Sequence, residues 1–276
     1  MTSDTDRKIP TGIGSLDPVF EGGVPAGSVI LLLGETGAGS NEFVYSSISG
    51  LASRQPLAGS PAGGLAIPQE IRYITFTRTK DDILGEMTCF ISPGNAAEAI
   101  RRIRFDDLSD TYFDSSIVPA AWYSSGDIIT RLKKRTDRAG VLAQLAGVLD
   151  SSVPDSLVAI DSLTDIGTQC STPELWRDFT GLLRGFQRMA KLRNQTVYLL
   201  LTKGILKEEQ ENEIADIVDA VFLFRWEETT GSRRQRIMFF EKFRGVMPHL
   251  VEQDLVKFAV RISTTGFEVS NIRVVI

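Results

Sequence analysis

The chain is 276 residues long, with 42% hydrophobic and 24% charged residues and a formal net charge of −5. That is the make-up of a globular chain with room for one large α/β domain or two small ones, and the acidic balance argues against a general affinity for nucleic acid or anionic membrane. The single histidine, His249, excludes multi-histidine metal centres and makes a Ser-His-Asp triad a poor fit, while Cys89 and Cys170 lie far apart in no zinc-binding spacing.

Residues 1–8 are polar and lack the apolar centre of a secretory signal. No apolar run approaches the ~18 residues of a membrane span. A soluble, cytoplasmic protein is therefore expected, with a flexible terminus over 1–8 and one domain over 9–276. The lead-in carries two turn-rich pieces, Thr11-Gly12-Ile13 to Leu16-Asp17 and Gly22-Gly23-Val24-Pro25. They deliver the chain into an apolar run, Val29-Ile30-Leu31-Leu32-Leu33, whose continuity is that of a strand buried on both faces.

Next comes Gly34-Glu35-Thr36-Gly37-Ala38-Gly39-Ser40-Asn41, followed by a helical stretch over 42–52. Strand, glycine turn and helix are the setting of a phosphate-binding loop. Glycines let backbone N–H groups converge on an anion, and the helix N-terminus adds partial positive charge. Gly34 and Gly39 satisfy the G-x-x-x-x-G spacing, but Ser40 and Asn41 stand where Lys and Ser/Thr are needed. The candidate ligand contacts are Gly34, Thr36, Gly37, Ala38, Gly39, Ser40 and Asn41.

Beyond this loop, 55–68 is rich in Gly, Pro and Ala and reads as an exposed loop. A β-branched, aromatic strand is predicted over 71–76, and a helix capped by Asp81 up to about Phe90. A short helix over 96–102 and a strand over 103–105 precede an aperiodic insertion at 106–125. Its aromatics, Tyr112, Phe113, Trp122 and Tyr123, are expected to pack as core. A helical region opens at Asp127. A buried strand at 156–160 ends in Asp161, and Thr172 and Pro173 start a long amphipathic helix. The run 196–201 is another buried strand, followed by an acidic loop, Lys207-Glu208-Glu209-Gln210-Glu211. Strand pairs at 221–226 with 235–243, and at 255–262 with 267–269, add antiparallel structure to a parallel core. His249 falls in a connecting loop with a structural role.

Taken together, the lead-in, the glycine loop, Ile160-Asp161-Ser162-Leu163 and Lys242-Phe243-Arg244-Gly245 resemble the RecA superfamily, and most closely its KaiC-like branch. The likeness extends over nearly the whole chain. Within that branch the sequence is similar to haloarchaeal proteins labelled HTR-like, whose phosphate loop is degenerate. The resemblance implies a mostly parallel α/β sheet flanked by helices, with a C-terminal antiparallel extension. It also implies ATP and Mg²⁺ as ligands, Asp161 as the Mg²⁺ partner, and Lys242 and Arg244 as cations reaching a neighbouring subunit's phosphates. Homo-oligomers or a KaiC-like partner protein follow as expected partners. On a solitary domain with no binding role, by this reading, nothing would favour keeping the Lys242/Arg244 pair beside Gly245.

An active member would need a loop Lys, a Mg²⁺-binding hydroxyl and a carboxylate after the second core strand. This chain has Ser40, Asn41 and, after Phe76, Thr77-Arg78. Losing one charged hydrogen bond costs roughly 1.5–3 kcal/mol, about 10- to 100-fold in affinity. The expectation is a degenerate nucleotide-binding protein, regulatory or scaffolding, with ATP binding weak or lost. Two alternatives stand beside it. One is a working ATPase in which Arg78, or a partner's Lys242 or Arg244, supplies the missing charge. The other is a nucleic-acid-binding regulator, favoured by Arg177, Arg184, Arg188 and Lys191 and by the cluster at 131–135, and disfavoured by the acidic loop. At single positions, Asp161-Ser162 also reads as a strand end and helix cap, Lys242 and Arg244 as a solvated strand face, and Arg78 as an exposed loop residue.

Overall fold

The computed structural model describes residues 7–54, 67–90, 96–114, 116–123, 140–229, 233–264 and 266–272. The expected loop at 55–68 lies almost wholly outside them, as do the helix start at Asp127 and the basic cluster at 131–135. In chain order the elements are β1 (Lys8–Ile9), β2 (Val24–Pro25), β3 (Val29–Gly34), α1 (Ser40–Ser53), β4 (Ile71–Thr75), α2 (Lys80–Thr88), α3 (Ala96–Arg101), β5 (Ile103–Asp107) and α4 (Ser109–Phe113). There follow α5 (Val141–Asp150), β6 (Leu157–Asp161), α6 (Leu163–Gln169), α7 (Pro173–Leu192), β7 (Thr196–Thr202), α8 (Glu208–Ile217), β8 (Ala220–Thr229), β9 (Arg233–Phe243), α9 (Met247–Glu252), β10 (Lys257–Ser263) and β11 (Gly266–Asn271).

Among the described residues nine strands form one sheet, in the order β11-β10-β9-β8-β3-β7-β6-β4-β5. From β8 to β5 the neighbours run parallel, and β8 to β11 are antiparallel. The expected parallel core with an antiparallel extension is what the chain builds. Strand alternation divides β3 between two cores: Ile30 and Leu32 face α1, while Val29, Leu31 and Leu33 face the helices on the other side. α7 begins as its sequence predicts. Thr172 accepts a hydrogen bond from the Leu175 N–H, Pro173 sits in the first turn, and Phe179, Leu183, Phe186 and Ala190 are buried.

The lead-in glycines have a physical reason beyond turning. Gly12 has φ +80°, and a Cβ there would come within 2.4 Å of the Ser47 carbonyl oxygen on α1, so only glycine allows the approach. The Asp17 carboxylate fixes the same turn by accepting the Thr11 N–H and hydroxyl, both at 2.6 Å.

Several local expectations change. Thr79, not Asp81, caps α2, accepting from the Asp82 N–H, and the helix ends at Thr88. β5 runs on to Asp107 and α4 follows, so 106–125 opens with regular structure. Tyr112 packs on Phe76 and Phe113, and Phe113 on Tyr123. Trp122, however, is 79% exposed and is no part of a core. The acidic run after β7 is not a loop: Lys207 is the N-cap of α8, and Glu208, Glu209 and Glu211 fill its first turn, where negative charge is favoured by the helix dipole. His249 lies on the short helix α9, 3.4 Å from a Glu21 carboxylate oxygen. Among the described residues no helix is long and apolar enough to cross a membrane.

Candidate functional site

The C-terminal ends of β3, β7, β6 and β4 lie side by side, the edge at which open α/β sheets hold ligands. From β3 the chain turns through Gly34–Gly39 and enters α1 at Ser40. Gly37 and Gly39 have φ +73° and +115°, which favour glycine. A Cβ on Gly34 would meet the Ser40 hydroxyl at 2.6 Å. Gly39 is the N-cap of α1 and offers no side-chain oxygen, so the first-turn N–H groups have no side-chain cap. They face a cavity of about 450 Å³ lined by the loop, Tyr45, Glu86, Cys89, Phe90 and Thr202, a size that suits a small organic ligand.

The loop's other side is tied to the β8–β9 hairpin. Glu35 accepts the Trp226 backbone N–H at 2.9 Å, the Thr36 carbonyl accepts the Trp226 indole N–H at 3.2 Å, and the Gly37 carbonyl accepts Arg236 Nε at 2.9 Å. Arg236 lies over the Trp226 ring at 4.4 Å. The chain thereby spends the outward carbonyls of the loop on its own hairpin and leaves the helix N-terminus toward the cavity. Glu35, Glu42 and Glu86 are among the residues lining that cavity, the Glu35 carboxylate bonded to the Trp226 N–H and that of Glu86 to Arg78, and no Lys or Arg is among its described lining residues.

Asp161 ends β6, beside β4. It is 7% exposed, and its Oδ2 accepts the Tyr73 hydroxyl at 2.6 Å. Burial raises the Asp161 pKa from its ordinary value, against the lowering effects of Tyr73 and Arg78. Burial likewise raises the pKa of Tyr73, helped by the charge of Asp161. Ser162 is the N-cap of α6, accepting from the Asp165 N–H. The cap reading and a site position are thus carried by adjacent residues.

Arg78 departs from the exposed-loop reading. The Thr75 hydroxyl donates to the Arg78 carbonyl at 3.0 Å and accepts its N–H at 3.3 Å, a turn that folds Arg78 back over the strand ends. The guanidinium donates to the Tyr45 hydroxyl and to Glu86, and approaches Asp161 Oδ2 at 3.9 Å.

Lys242 and Arg244 are placed elsewhere. Lys242 Nζ donates to the carbonyls of Ala215 and Asp216 at 2.7 and 2.8 Å, and Arg244 donates to that of Asp216 at 2.7 Å. These are the last-turn carbonyls of α8, which lack partners within their own helix. Burial, and then the nearby charge of Arg244, lowers the Lys242 pKa. The premise that nothing in a solitary domain would favour the pair is corrected, because they cap a helix of their own chain.

The residues of a Mg·ATP site can now be tested for fit. The glycine cradle suits an anion. The side chains do not suit the metal: Asn41 replaces the hydroxyl, Asp161 is buried and hydrogen-bonded, and a guanidinium lies beside it. Among the described residues no group of three His, Cys, Asp or Glu is placed to hold a metal ion. Trp226, Arg236, Glu86, Tyr45 and Tyr73 were not foreseen as site residues. Only Tyr73 left a readable signal, since strand alternation puts it on the same strand face as Thr75, which pairs with Asp161 in the adjacent strand.

No family model matches the chain, and no curated protein matches it. Among solved structures it is similar to the crystal structure of a KaiC-like protein from the hyperthermophilic archaeon Pyrococcus horikoshii OT3. The identity is 18%, the match covers 96% of this chain and 99% of that one, and the TM-score is 0.59. At that identity the likeness speaks for the fold alone: a mostly parallel α/β sheet with an antiparallel extension, similar to that of the KaiC-like protein.

Proposed function

We propose that this chain is a degenerate KaiC-like nucleotide-binding domain, regulatory or scaffolding in role, which binds ATP weakly or not at all. One observation carries the reading: an intact glycine cradle faces a cavity lined by Glu35, Glu42 and Glu86 with no basic side chain among its described lining residues. A polyphosphate there would meet negative charge where a functional loop supplies Lys. The proposal extends to a place beside haloarchaeal HTR-like proteins and to a single cytoplasmic domain over 9–276 acting as a homo-oligomer or beside a KaiC-like partner. The alternative of a working ATPase is weakened because Arg78 is paired with Glu86 and Tyr45, and Lys242 and Arg244 are spent on α8. The nucleic-acid alternative is weakened by two pairings on the α7 stripe, Arg184 with Glu213 at 3.0 Å and Lys191 with Asp219 at 3.1 Å.

Calorimetric titration with Mg·ATP tests the proposal on the wild type and on Ser40→Lys with Asn41→Thr. The expected result is weak or undetectable binding by the wild type and at least tenfold tighter binding by the double variant, the minimum return for one charged hydrogen bond of roughly 1.5 kcal/mol. A wild-type Kd below about 1 μM, some 8 kcal/mol of binding, would show that the loop is not crippled.

A further inference from the structure

We infer that Arg78 is a resident cation that takes the charge role of a divalent metal, so that any anion held by the glycine loop is bound without one. The inference rests on the reading of this cavity as the ligand site, but its primary test needs no nucleotide. Asp161 is the carboxylate at the end of β6, and a metal there would have to use its oxygens. Its Oδ2 already accepts the Tyr73 hydroxyl at 2.6 Å and lies 3.9 Å from Arg78 Nη1. Glu86, the other carboxylate within reach, is paired with the same guanidinium, which also donates to Tyr45. A small divalent ion requires several oxygen ligands in near-octahedral array. Here it would have to displace a guanidinium held between two carboxylates and a phenol.

The arrangement is built into the local chain. The Thr75 turn sets the direction of Arg78, with its hydroxyl bonded to both the carbonyl and the N–H of that residue. Glu86 comes from α2, Tyr45 from α1 and Asp161 from the end of β6, so three elements converge on one cation. Arginine suits the task because its charge is permanent and its planar fork meets several acceptors at once. With Glu86 paired to Arg78 and Glu42 still lining the cavity, one resident cation favours an anion of low charge over a triphosphate.

The probe is Mn²⁺ alone, titrated into the full chain and followed by the paramagnetic resonance of the free ion. The wild type should show no saturable, Asp161-dependent site below about 1 mM, and Arg78→Gln should gain one at least tenfold tighter, with Asp161→Asn removing the gain. A wild-type site that Asp161→Asn abolishes would overturn the inference, as would Arg78→Gln binding no better than wild type. If circular dichroism shows that Arg78→Gln does not fold, the comparison of wild type with Asp161→Asn decides alone, a shared lack of saturable binding supporting the inference. ATP titrated in EDTA and in Mg²⁺ separates the two proposals. Equal affinity within twofold supports metal-free binding, and binding only with Mg²⁺ overturns it. Sub-micromolar binding in either buffer counts against the degenerate-loop reading and leaves the Mn²⁺ result standing.

Discussion

Reversing the charges of Lys242 and Arg244 is the most discriminating perturbation of this fold, because the two residues have a structural job. Between them they make three hydrogen bonds to the last-turn carbonyls of α8. A charged hydrogen bond contributes roughly 1.5–3 kcal/mol when desolvated, but the Arg244 side chain is 48% exposed and must be discounted for solvent screening. Lys242→Ala should therefore cost about 1.5 kcal/mol and Arg244→Ala about 0.5 kcal/mol. Lys242→Glu with Arg244→Glu removes these bonds and also sets two carboxylates at the negative end of a helix, a further penalty of about 0.3–1 kcal/mol each. Asp219, whose Oδ2 accepts the Val29 N–H at 2.9 Å, would lose a cationic neighbour as well. The sum is about 3 kcal/mol, or roughly 6 °C in Tm for a chain of this size. Urea unfolding of wild type, the two alanine variants and the double reversal measures it, with sedimentation run on the same samples. A double reversal within about 0.5 kcal/mol of wild type, the scatter of ordinary surface substitutions, would refute the capping argument. If it also weakened assembly, the interface expected from the sequence would regain its basis.

Other outcomes can be checked independently. Ser40→Lys with Asn41→Thr should not hydrolyse ATP measurably faster than wild type in a phosphate-release assay, because Thr77-Arg78 supply no carboxylate. Turnover near 1 s⁻¹, typical of a competent phosphoryl-transfer site, would point to a base elsewhere, with Glu86 the first to test. Asp161→Asn should raise Tm at neutral pH: the folded pKa of Asp161 lies above its unfolded value, so the wild type loses stability as pH rises from about 3.8 through the folded value. The Tm advantage of the variant should shrink towards zero below pH 3.8, and a pH-independent difference would contradict the assignment. Arg72 is fully buried and pairs with Asp106 at 2.7 Å. Arg72→Met should cost about 3 kcal/mol by removing the buried cation beside Asp106, which keeps, among the described residues, only Arg104 at 3.8 Å, and a loss under 1 kcal/mol in a denaturant titration would show Arg104 or water taking its place.

What could be read from sequence follows a physical division. β3, β6 and β7 are short, largely apolar runs bounded by turns, and such runs have few alternatives to a buried parallel strand. Their order, with α7 capped by Thr172 and Pro173, was enough to specify the α/β architecture. The local misreadings came where two nearby residues could do the same work. Thr79 and Asp81 are both good caps, and the helix starts at Lys80, which leaves Thr79 extended at the N-cap and puts Asp81 inside the first turn. The acidic run at 208–211 looked like a loop because its charge hides the apolar spacing of Ile214 and Ile217, which are buried on α8.

The site was legible only as far as chemistry is contiguous. The glycine loop and its missing Lys are neighbours in sequence, so the cradle and its defect were both visible. Arg78, Glu86, Tyr45, Tyr73 and Asp161 are brought together from two strands, the turn after one of them and two helices, and apart from the alternation that places Tyr73 none carries a short-range signature of the others. The same holds for Lys242 and Arg244. Their alternation across Phe243 suggested one strand face; the strand ends at Phe243 and Arg244 lies in the turn beyond it, yet both side chains reach the same helix end, a fact of tertiary packing. A cation beside a glycine in a sequence motif can serve a ligand, a partner or a helix end, since each presents oxygen atoms with negative partial charge. Here the nearest such atoms are the α8 carbonyls at 2.7–2.8 Å. At those distances the helix end has the first claim on both charges. Any role for Lys242 or Arg244 across a subunit boundary would have to be shared with it or displace it.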